Sequence, residues 1–390
     1  MGKNLLFVHD HIFTKKNGLV YSAAAFPSDS WCRYLDFFDS VKVVGRHASR
    51  NRDVGGLVLS SKDNVDFFFV EAPPSRVFGF ICRRRNARKI IRSLLASSSA
   101  LVARLPSENG YVAIALARQA RIPIAVEVVG CALDAYNNYG GVLAKLYAPI
   151  AYYKMRRSVA RASQVLYVTS EYLQNRYPAC HETFKISASN VNLPSDFYPE
   201  KHLSERIFKC NEKLTLGLIG NYKTNYKGVD VAVRSVAYLR SLGLDVSLRI
   251  LGAGDSSSYR LLCRELSVDE YVDFCGPLPN GRPVLEWLEK VDIYIQPSRT
   301  EGLPRSLVEA MSQGKPCFGA NVGGIPELLS DSYIHRVGDP EDLGNKIIAA
   351  LRRNHLKSFD VINYESSLQF AYDKVSERRY EFFKRLSNKS

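Results

Sequence analysis

Residues 296–314 combine acidic side chains with a strong signal for the start of a helix. The run reads Gln-Pro-Ser-Arg-Thr-Glu-Gly-Leu-Pro-Arg-Ser-Leu-Val-Glu-Ala-Met-Ser-Gln-Gly. Pro304 suits the first position of a helix because its missing N–H has no partner there, and Gly314 is a usual residue at a helix C-terminus. The unpaired N–H groups of this helix, near Leu303, Arg305 and Ser306, predict an anion site that fits a phosphate.

Two carboxylates flank the start of this predicted helix. Glu301 precedes it and Glu309 lies in its second turn, so the two side chains address different parts of one ligand, such as a sugar ring and a ribose. Gly302 lets a ligand approach the backbone closely. Alternatively, Glu301 is a partner of the helix dipole and Glu309 a surface residue. That alternative is favoured for either glutamate alone, but not for the whole run.

Short apolar runs separated by helical periodicity predict a doubly wound parallel sheet in each half of the chain. The predicted strands are 5–8, 41–44, 65–70, 100–103, 122–129, 165–168 and 185–188, then 214–219, 246–251, 272–274, 291–295, 316–319 and 333–336. We expect domains at 1–195 and 213–364, a linker at 196–212 and a C-terminal helix within 365–390 that crosses back. Ligands bind at the carboxyl ends of such strands, so two facing domains form a cleft.

The composition limits the class of protein. The 390 residues include 53 Lys and Arg against 39 Asp and Glu, and 46% are hydrophobic, which excludes a disordered chain. The longest uncharged stretch, 17–28, is shorter than the roughly 18–20 apolar residues of a spanning helix. The 8 cysteines form no Cys-x-x-Cys, which disfavours zinc and redox sites and favours the cytosol.

The net charge of +14 belongs almost wholly to the first half of the chain. Residues 1–195 hold 26 Lys and Arg against 13 Asp and Glu, whereas the second half holds 27 against 26. The basic clusters lie at 83–92, beside apolar residues at helical spacing, and at 154–157. Such a pattern suits an anionic membrane surface or substrate, while a solvated helix face is the alternative. Nucleic acid is disfavoured, because no aromatic residues interleave with the arginines.

Two further motifs carry a resemblance to a known family. The run Glu-Gly-Leu-Pro-(x)4-Glu-Ala-Met-x-x-Gly-Lys-Pro at 301–316, followed by Asn-Val-Gly-Gly-Ile-Pro-Glu-Leu-Leu at 321–329, resembles retaining glycosyltransferase family 4 of the GT-B fold. Residues 102–107 and 126–135 resemble the polysaccharide-assembly branch of that family. Residues 218–228 resemble the segment that holds the donor diphosphate in that family. The resemblance implies that Lys227 contacts the phosphates, that Glu309 binds the ribose hydroxyls and that Glu301 holds the donor sugar.

The resemblance also implies which residues bind the donor. They are Gly18, Asn221, Lys227, Gly252, Leu278, Arg299, Glu301, Gly302, Leu303, Pro304, Arg305 and Glu309. Gly18 corresponds to a glycine loop near the phosphates, and Leu278 lies where the family packs the base. The family usually has Arg where this chain has Asn221, which leaves the second positive contact open to Lys223 or Arg299.

The first half resembles the family less specifically. Many relatives keep a histidine in a loop where this chain has none between His47 and His181. Glu127 or Asp134 is expected to act there, together with Glu301 and Lys227 as catalytic residues, although a capping or core carboxylate is an equal alternative for both. His9 and His11, after the first strand, are candidates for the acceptor side.

These residues predict a mechanism and a function. No two aspartates lie two positions apart, so the Asp-x-Asp metal motif is absent, and we expect a reaction without metal or cofactor. Lys227 and the helix N-terminus would then stabilise the departing diphosphate. The expected function is retaining transfer of a hexose or hexosamine from a nucleotide-diphosphate sugar to a glycan on a lipid such as polyprenyl, in surface polysaccharide synthesis. The expected location is the inner face of the cytoplasmic membrane.

Two alternatives remain from the sequence. One is a non-catalytic nucleotide-sugar-binding partner of a transferase, which Asn221 favours. The other is a nucleotide-sugar epimerase of the GT-B fold, which needs no second substrate.

Overall fold

A computed structural model describes residues 2–23, 26–48, 54–71, 76–139, 141–191, 193–194, 198, 213–352 and 356–389. Apart from residue 198, the predicted linker at 196–212 lies outside the described residues. The predicted domain boundaries therefore stay predictions, and the two halves are described by their sheets.

Within the described residues of the first half, nine strands form one sheet, and seven of them run parallel. The strands are β1 (Asn4–Lys16), β2 (Leu19–Ser22), β3 (Ser40–His47), β4 (Val58–Leu59), β5 (Val65–Phe69), β6 (Ala100–Leu105), β7 (Ile124–Val128), β8 (Gln164–Tyr167) and β9 (Phe184–Ser187). The parallel order is β5-β3-β1-β6-β7-β8-β9. The sequences of the parallel strands are continuous apolar runs, because helices cover both faces of the sheet.

The end of β1 corrects one sequence prediction. The strand continues to Lys16, beyond the predicted 5–8, and pairs antiparallel with β2. Asn17 and Gly18 form the two-residue turn of this hairpin, with φ of 51° and 79°. Asn-Gly is the preferred pair for such turns, because both residues tolerate positive φ. Gly18 is therefore the second residue of a hairpin turn, at the place where a phosphate loop was expected.

Helices cover both faces of this sheet. They are α1 (Cys32–Leu35), α2 (Arg76–Leu95), α3 (Glu108–Gln119), α4 (Ala132–Tyr139), α5 (Val142–Val159) and α6 (Tyr172–Arg176). Alternate residues of β1 serve the two faces, as the two-residue period of a strand requires. Leu6 belongs to the core under α2, α3 and α5, whereas Phe7 packs with Trp31 and Tyr34 on the other face.

The second half forms a sheet of six parallel strands in the order β12-β11-β10-β13-β14-β15. Its strands are β10 (Leu214–Ile219), β11 (Val246–Leu251), β12 (Val272–Gly276), β13 (Ile293–Gln296), β14 (Cys317–Ala320) and β15 (Ile334–His335). Its helices are α7 (Val229–Ser241), α8 (Ser257–Glu265), α9 (Arg282–Glu289), α10 (Arg305–Ser312) and α11 (Pro340–Arg352). In both sheets the strand order reverses beside the first strand, which makes a ligand crevice at the carboxyl ends. The predicted pair of Rossmann-like sheets is confirmed.

The C-terminal segment crosses back to the first sheet, as predicted, but as two helices. A 3-10 turn, Leu368–Phe370, separates α12 (Leu356–Ser367) from α13 (Tyr372–Ser387) where one helix at 365–386 was expected. In α13, Phe382 and Phe383 are buried in the core of the first half. Arg379 donates to the carbonyls of Ala188 and Ser189 at 3.2 and 3.0 Å. Among the described helices, none combines the length and the apolarity needed to cross a membrane.

Candidate active site between the domains

A cavity of about 490 Å³ lies where the carboxyl ends of the second sheet face the first half of the chain. It sits at β10 and β13, the strands between which the order reverses. Ten of the twelve predicted donor-binding residues line it, and their roles stay predictions: Asn221, Lys227, Gly252, Leu278, Glu301, Gly302, Leu303, Pro304, Arg305 and Glu309.

An ion pair between Lys227 and Glu301 lies in this cavity. Lys227 ends the 3-10 turn after β10, Glu301 lies in the loop after β13, and Nζ and Oε1 are 2.6 Å apart. Burial lowers the pKa of Lys227, but the Glu301 carboxylate outweighs it and the net shift is upward. The ammonium group is therefore charged at neutral pH. It is a fixed positive charge at the place where a ligand phosphate would enter.

Glu301 is held in place by two buried polar side chains at the end of β13. Ser298 Oγ donates to Oε1 at 2.7 Å, and Gln296 Nε2 donates to the same atom at 3.2 Å. Neither residue was predicted to belong to the site, although both lie in the run at 296–314. A buried carboxylate with several donors has one orientation, which is what a binding group requires.

The N-terminus of α10 opens into the cavity. Pro304 is the residue before the helix, with φ −73° and ψ 114°, and not its first residue as predicted. No side chain caps this end, so the first N–H groups, those of Arg305 and Ser306, are available to an anion. Gly314 follows the helix with φ 63°, as expected for a C-terminal glycine.

Glu309 projects from the second turn of α10 into the same cavity. Burial raises its pKa, while Arg305 and Lys227 act in the opposite direction. The carboxyl group is thus poised to gain from a ligand that donates hydrogen bonds to it.

The two residues suggested for a second positive contact, Lys223 and Arg299, lie outside the cavity. Arg299 is paired with Asp230 at 2.7 and 2.8 Å and does not line the cavity. Lys223 is exposed and does not line it either. Arg305 does, so Lys227 and Arg305 are the cationic side chains among the described residues of the lining.

Two close approaches join the domains, one at this cavity and one at a separate cavity that Glu171, Tyr172 and Glu327 line. Gly302 lies against the carbonyl oxygen of Val129, where an added Cβ would stand 2.5 Å from that oxygen. The carboxylate of Glu327 accepts from the backbone N–H groups of Glu171 and Tyr172 at 3.1 and 2.6 Å. A carboxylate of the second domain thus caps the N-terminus of α6 in the first. The sequence did not predict that Glu327, which belongs to the 321–329 motif, contacts α6.

The carboxylates predicted in the first half do not line the cavity. Glu127 is buried in β7, where Tyr34 donates to it at 2.9 Å and Arg104 lies at 3.3 Å. Burial raises the pKa of Glu127, but Arg104 and Arg379 outweigh it, and the net shift is downward. Asp134 pairs with Arg176 at 2.8 Å beside a separate cavity of about 580 Å³. Both carboxylates therefore form ion pairs away from the cavity.

The first half meets the cavity through Val129, Val168 and Asn190, none of which was predicted. His9 donates from Nδ1 to the carbonyl of Arg104 at 3.2 Å, and burial lowers the pKa of His9 to about 3. His11 packs against Phe13 and Phe26. Neither histidine lines the cavity. Within the described part of the chain, no group of three His, Cys, Asp or Glu is placed to hold a metal ion.

Comparison with known proteins agrees with this geometry. The family model "Glycosyl transferases group 1" matches residues 213–353. Protein CapJ of Staphylococcus aureus is 30% identical over 371 residues, which are 93% of this chain and 90% of CapJ. The putative colanic acid biosynthesis glycosyltransferase WcaL of Salmonella typhimurium is 32% identical over 164 residues, 40% of this chain and 39% of WcaL.

A solved structure supports the fold. HepE of Anabaena, determined in complex with UDP, superimposes with a TM-score of 0.66 at 14% identity, over 98% of this chain and all of that one. The assignment to a family follows from the two Rossmann-like sheets, from the crevice between them and from the similarity to CapJ over 93% of the chain. The chain belongs to the group 1 glycosyltransferases and has the GT-B fold.

Proposed function

We propose that the chain transfers a hexose or hexosamine from a nucleotide-diphosphate sugar to a glycan acceptor, with retention of configuration, in surface polysaccharide synthesis. The observation that carries the donor assignment is the Lys227–Glu301 pair beside the uncapped N-terminus of α10. Group transfer from such a donor leaves a diphosphate, on which negative charge develops. Positive groups that are already in place stabilise that charge without reorganising.

We assign each residue of the cavity a role in binding the donor. Lys227 and the first N–H groups of α10 hold the diphosphate, and Arg305 supplies the second cation. Glu301 positions Lys227 and accepts from hydroxyls of the sugar, while Glu309 accepts from the ribose. Because Lys227, Arg305 and the N-terminus of α10 supply the positive charge that a metal ion would otherwise supply, we propose a transfer without metal. Retention is supported by the resemblance of the 301–316 and 321–329 motifs to a retaining family.

The acceptor is proposed to be a lipid-linked glycan at the inner face of the cytoplasmic membrane. Two observations support this. WcaL, which is similar over 164 residues, is described as a colanic acid biosynthesis glycosyltransferase. The excess positive charge lies in residues 1–195, the half that faces the donor site across the crevice. Cations near an anionic lipid surface favour attachment.

The first experiment is thermal unfolding with UDP, GDP, ADP, CMP and their sugars, each with and without EDTA. A nucleotide at 100 times its dissociation constant adds about 2.7 kcal/mol to the unfolding free energy, which is a shift of several degrees. We expect one nucleoside diphosphate to stabilise the protein equally with EDTA. No shift with any nucleotide contradicts the donor site, and a shift that EDTA abolishes contradicts the metal-free transfer.

Turnover of the stabilising donor separates the remaining functions. A transferase consumes the donor sugar when a glycan-lipid extract is present. An epimerase converts the donor without any extract, and a non-catalytic partner binds it without converting it. Either of the last two results would replace the proposed function.

Glu309→Gln tests the ribose contact and has opposite effects on stability and on binding. In the wild type, burial raises the pKa of Glu309, so its favourable contribution to folding is present at low pH and is lost as the pH rises through the raised pKa. At pH 7 the wild-type protein keeps a charged carboxylate in a buried place, which lowers its stability. The variant has no such charge, so we expect its melting temperature at pH 7 to equal or exceed the wild-type value. Nucleotide affinity should fall about 10- to 100-fold, because a hydrogen bond to a charged group is lost.

The measurement is the melting temperature from pH 5 to 8, with and without the stabilising nucleotide. Glu286→Gln is the matched control, because Glu286 is 59% exposed on α9 and does not line the cavity. An unchanged nucleotide shift in Glu309→Gln would remove Glu309 from the donor site.

A further inference from the structure

The outer face of α5 exposes a row of large apolar side chains. They are Val142, Leu143, Leu146, Ile150 and Tyr153, with exposed fractions of 76%, 74%, 69%, 54% and 67%. The spacing of four, four and three residues from Val142 to Tyr153 places them on one side of the helix. We call these five residues the α5 stripe. Single exposed apolar residues are ordinary, but a contiguous exposed row marks an interaction site.

The opposite face of α5 fixes how the stripe is presented. Ala148, Ala151, Met155 and Val159 are fully buried in the core of the first half. The helix therefore lies along the surface of the domain with its stripe outward. Its start follows α4, whose Asn138 approaches the carbonyl of Arg299 in the second domain at 3.5 Å. The stripe thus lies one helix away from the crevice.

The charges around the stripe are mostly positive, and the carboxylate among them, Glu108 of α3, pairs with Lys154. From Val142 to Val159, α5 contains four cations and no Asp or Glu. Lys145 lies within the exposed face, and Arg156 and Arg157 are exposed in the last turn. Arg84 and Arg88 of α2 share a small cavity with Lys154, so the basic cluster of α2 lies on the same side of the domain.

We infer that the α5 stripe inserts into the surface of an anionic lipid bilayer and that the flanking cations bind its headgroups. Apolar side chains beside cations fit the interface of such a bilayer, where each kind of group finds its partner. A second copy of the chain fits less well, since it would bring two cationic faces together. The inference rests on the proposed function in one respect, namely that a lipid-linked acceptor reaches the crevice from this surface.

The test is flotation with vesicles of phosphatidylcholine and phosphatidylglycerol, compared with phosphatidylcholine alone. We expect binding to the mixed vesicles, weaker binding at high salt, and a loss of about tenfold or more in Leu143→Ser/Leu146→Ser. The matched control is Leu242→Ser/Leu261→Ser, which changes two leucines that are 52% and 51% exposed in the second half. This control should bind vesicles like the wild type.

A spectroscopic arm reports insertion directly. Trp31 and Trp287 are buried, so Leu146→Trp adds an exposed reporter. Its emission should shift to the blue with mixed vesicles. Unchanged vesicle binding by Leu143→Ser/Leu146→Ser overturns the inference. So does a fall in solution mass of that variant, which would show that a second copy covers the stripe. The nucleotide-induced thermal shift, measured on the same proteins, tests the donor site separately.

Discussion

Lys227→Ala is expected to lower kcat about 10²- to 10³-fold with any donor that the wild type uses, because it removes a preorganised positive charge from the leaving diphosphate. The side chain lies 2.6 Å from Glu301 and lines the cavity beside α10. The measurement is the initial rate at saturating donor and acceptor. Lys223→Ala is the control, because Lys223 belongs to the same loop but is exposed outside the cavity. A turnover close to wild type would contradict the proposed role of Lys227.

The same substitution is expected to cost stability, and the two effects can be separated. Without its partner, the Glu301 carboxylate remains in the cavity with Ser298 and Gln296 as donors. The unfolding free energy should fall by about 1–3 kcal/mol. The double variant Lys227→Met/Glu301→Gln removes both charges and should recover most of this loss. Its activity should stay low, since the positive charge is still missing. Recovery of activity in the double variant would assign Lys227 a structural role alone.

Gly302→Ala is expected to lower kcat/KM about 10²-fold while the unfolding free energy changes by less than about 1 kcal/mol. The added Cβ would stand 2.5 Å from the carbonyl oxygen of Val129 in the other domain. Neither backbone is free to yield, because Val129 N–H donates to Leu105 and Gly324 N–H donates to the carbonyl of Gly302. The domains must therefore separate slightly, which displaces the acceptor side from the donor.

Small-angle scattering and kinetics together check this prediction. The radius of gyration of Gly302→Ala in the presence of nucleotide should exceed the wild-type value. Gly141→Ala is the control, since a Cβ there meets no atom within 4 Å and its φ of −71° suits any residue. Wild-type kinetics in Gly302→Ala would show that the close contact with Val129 is not needed for the reaction.

The sequence alone determined the elements whose signals are local. The apolar runs at 214–219 and 246–251 are strands with the predicted bounds. The helix α10 ends before Gly314, as its terminal residues required. Residues of the motif at 301–316 line one cavity together, because the loop and the helix that carry them are adjacent in the chain.

The tertiary structure alone decided which charges are free and which are paired. Arg299 pairs with a residue 69 positions away and Lys227 with one 74 positions away. Glu127 lies outside the cavity, and strand pairing sets Arg104 of β6 beside it. Such pairs depend on which elements become neighbours in the fold, and the hydrophobic periodicity of a single segment does not encode this. The tertiary structure also decided that the α5 stripe is exposed. The periodicity of an apolar helix face in the sequence is the same whether or not another element covers that face.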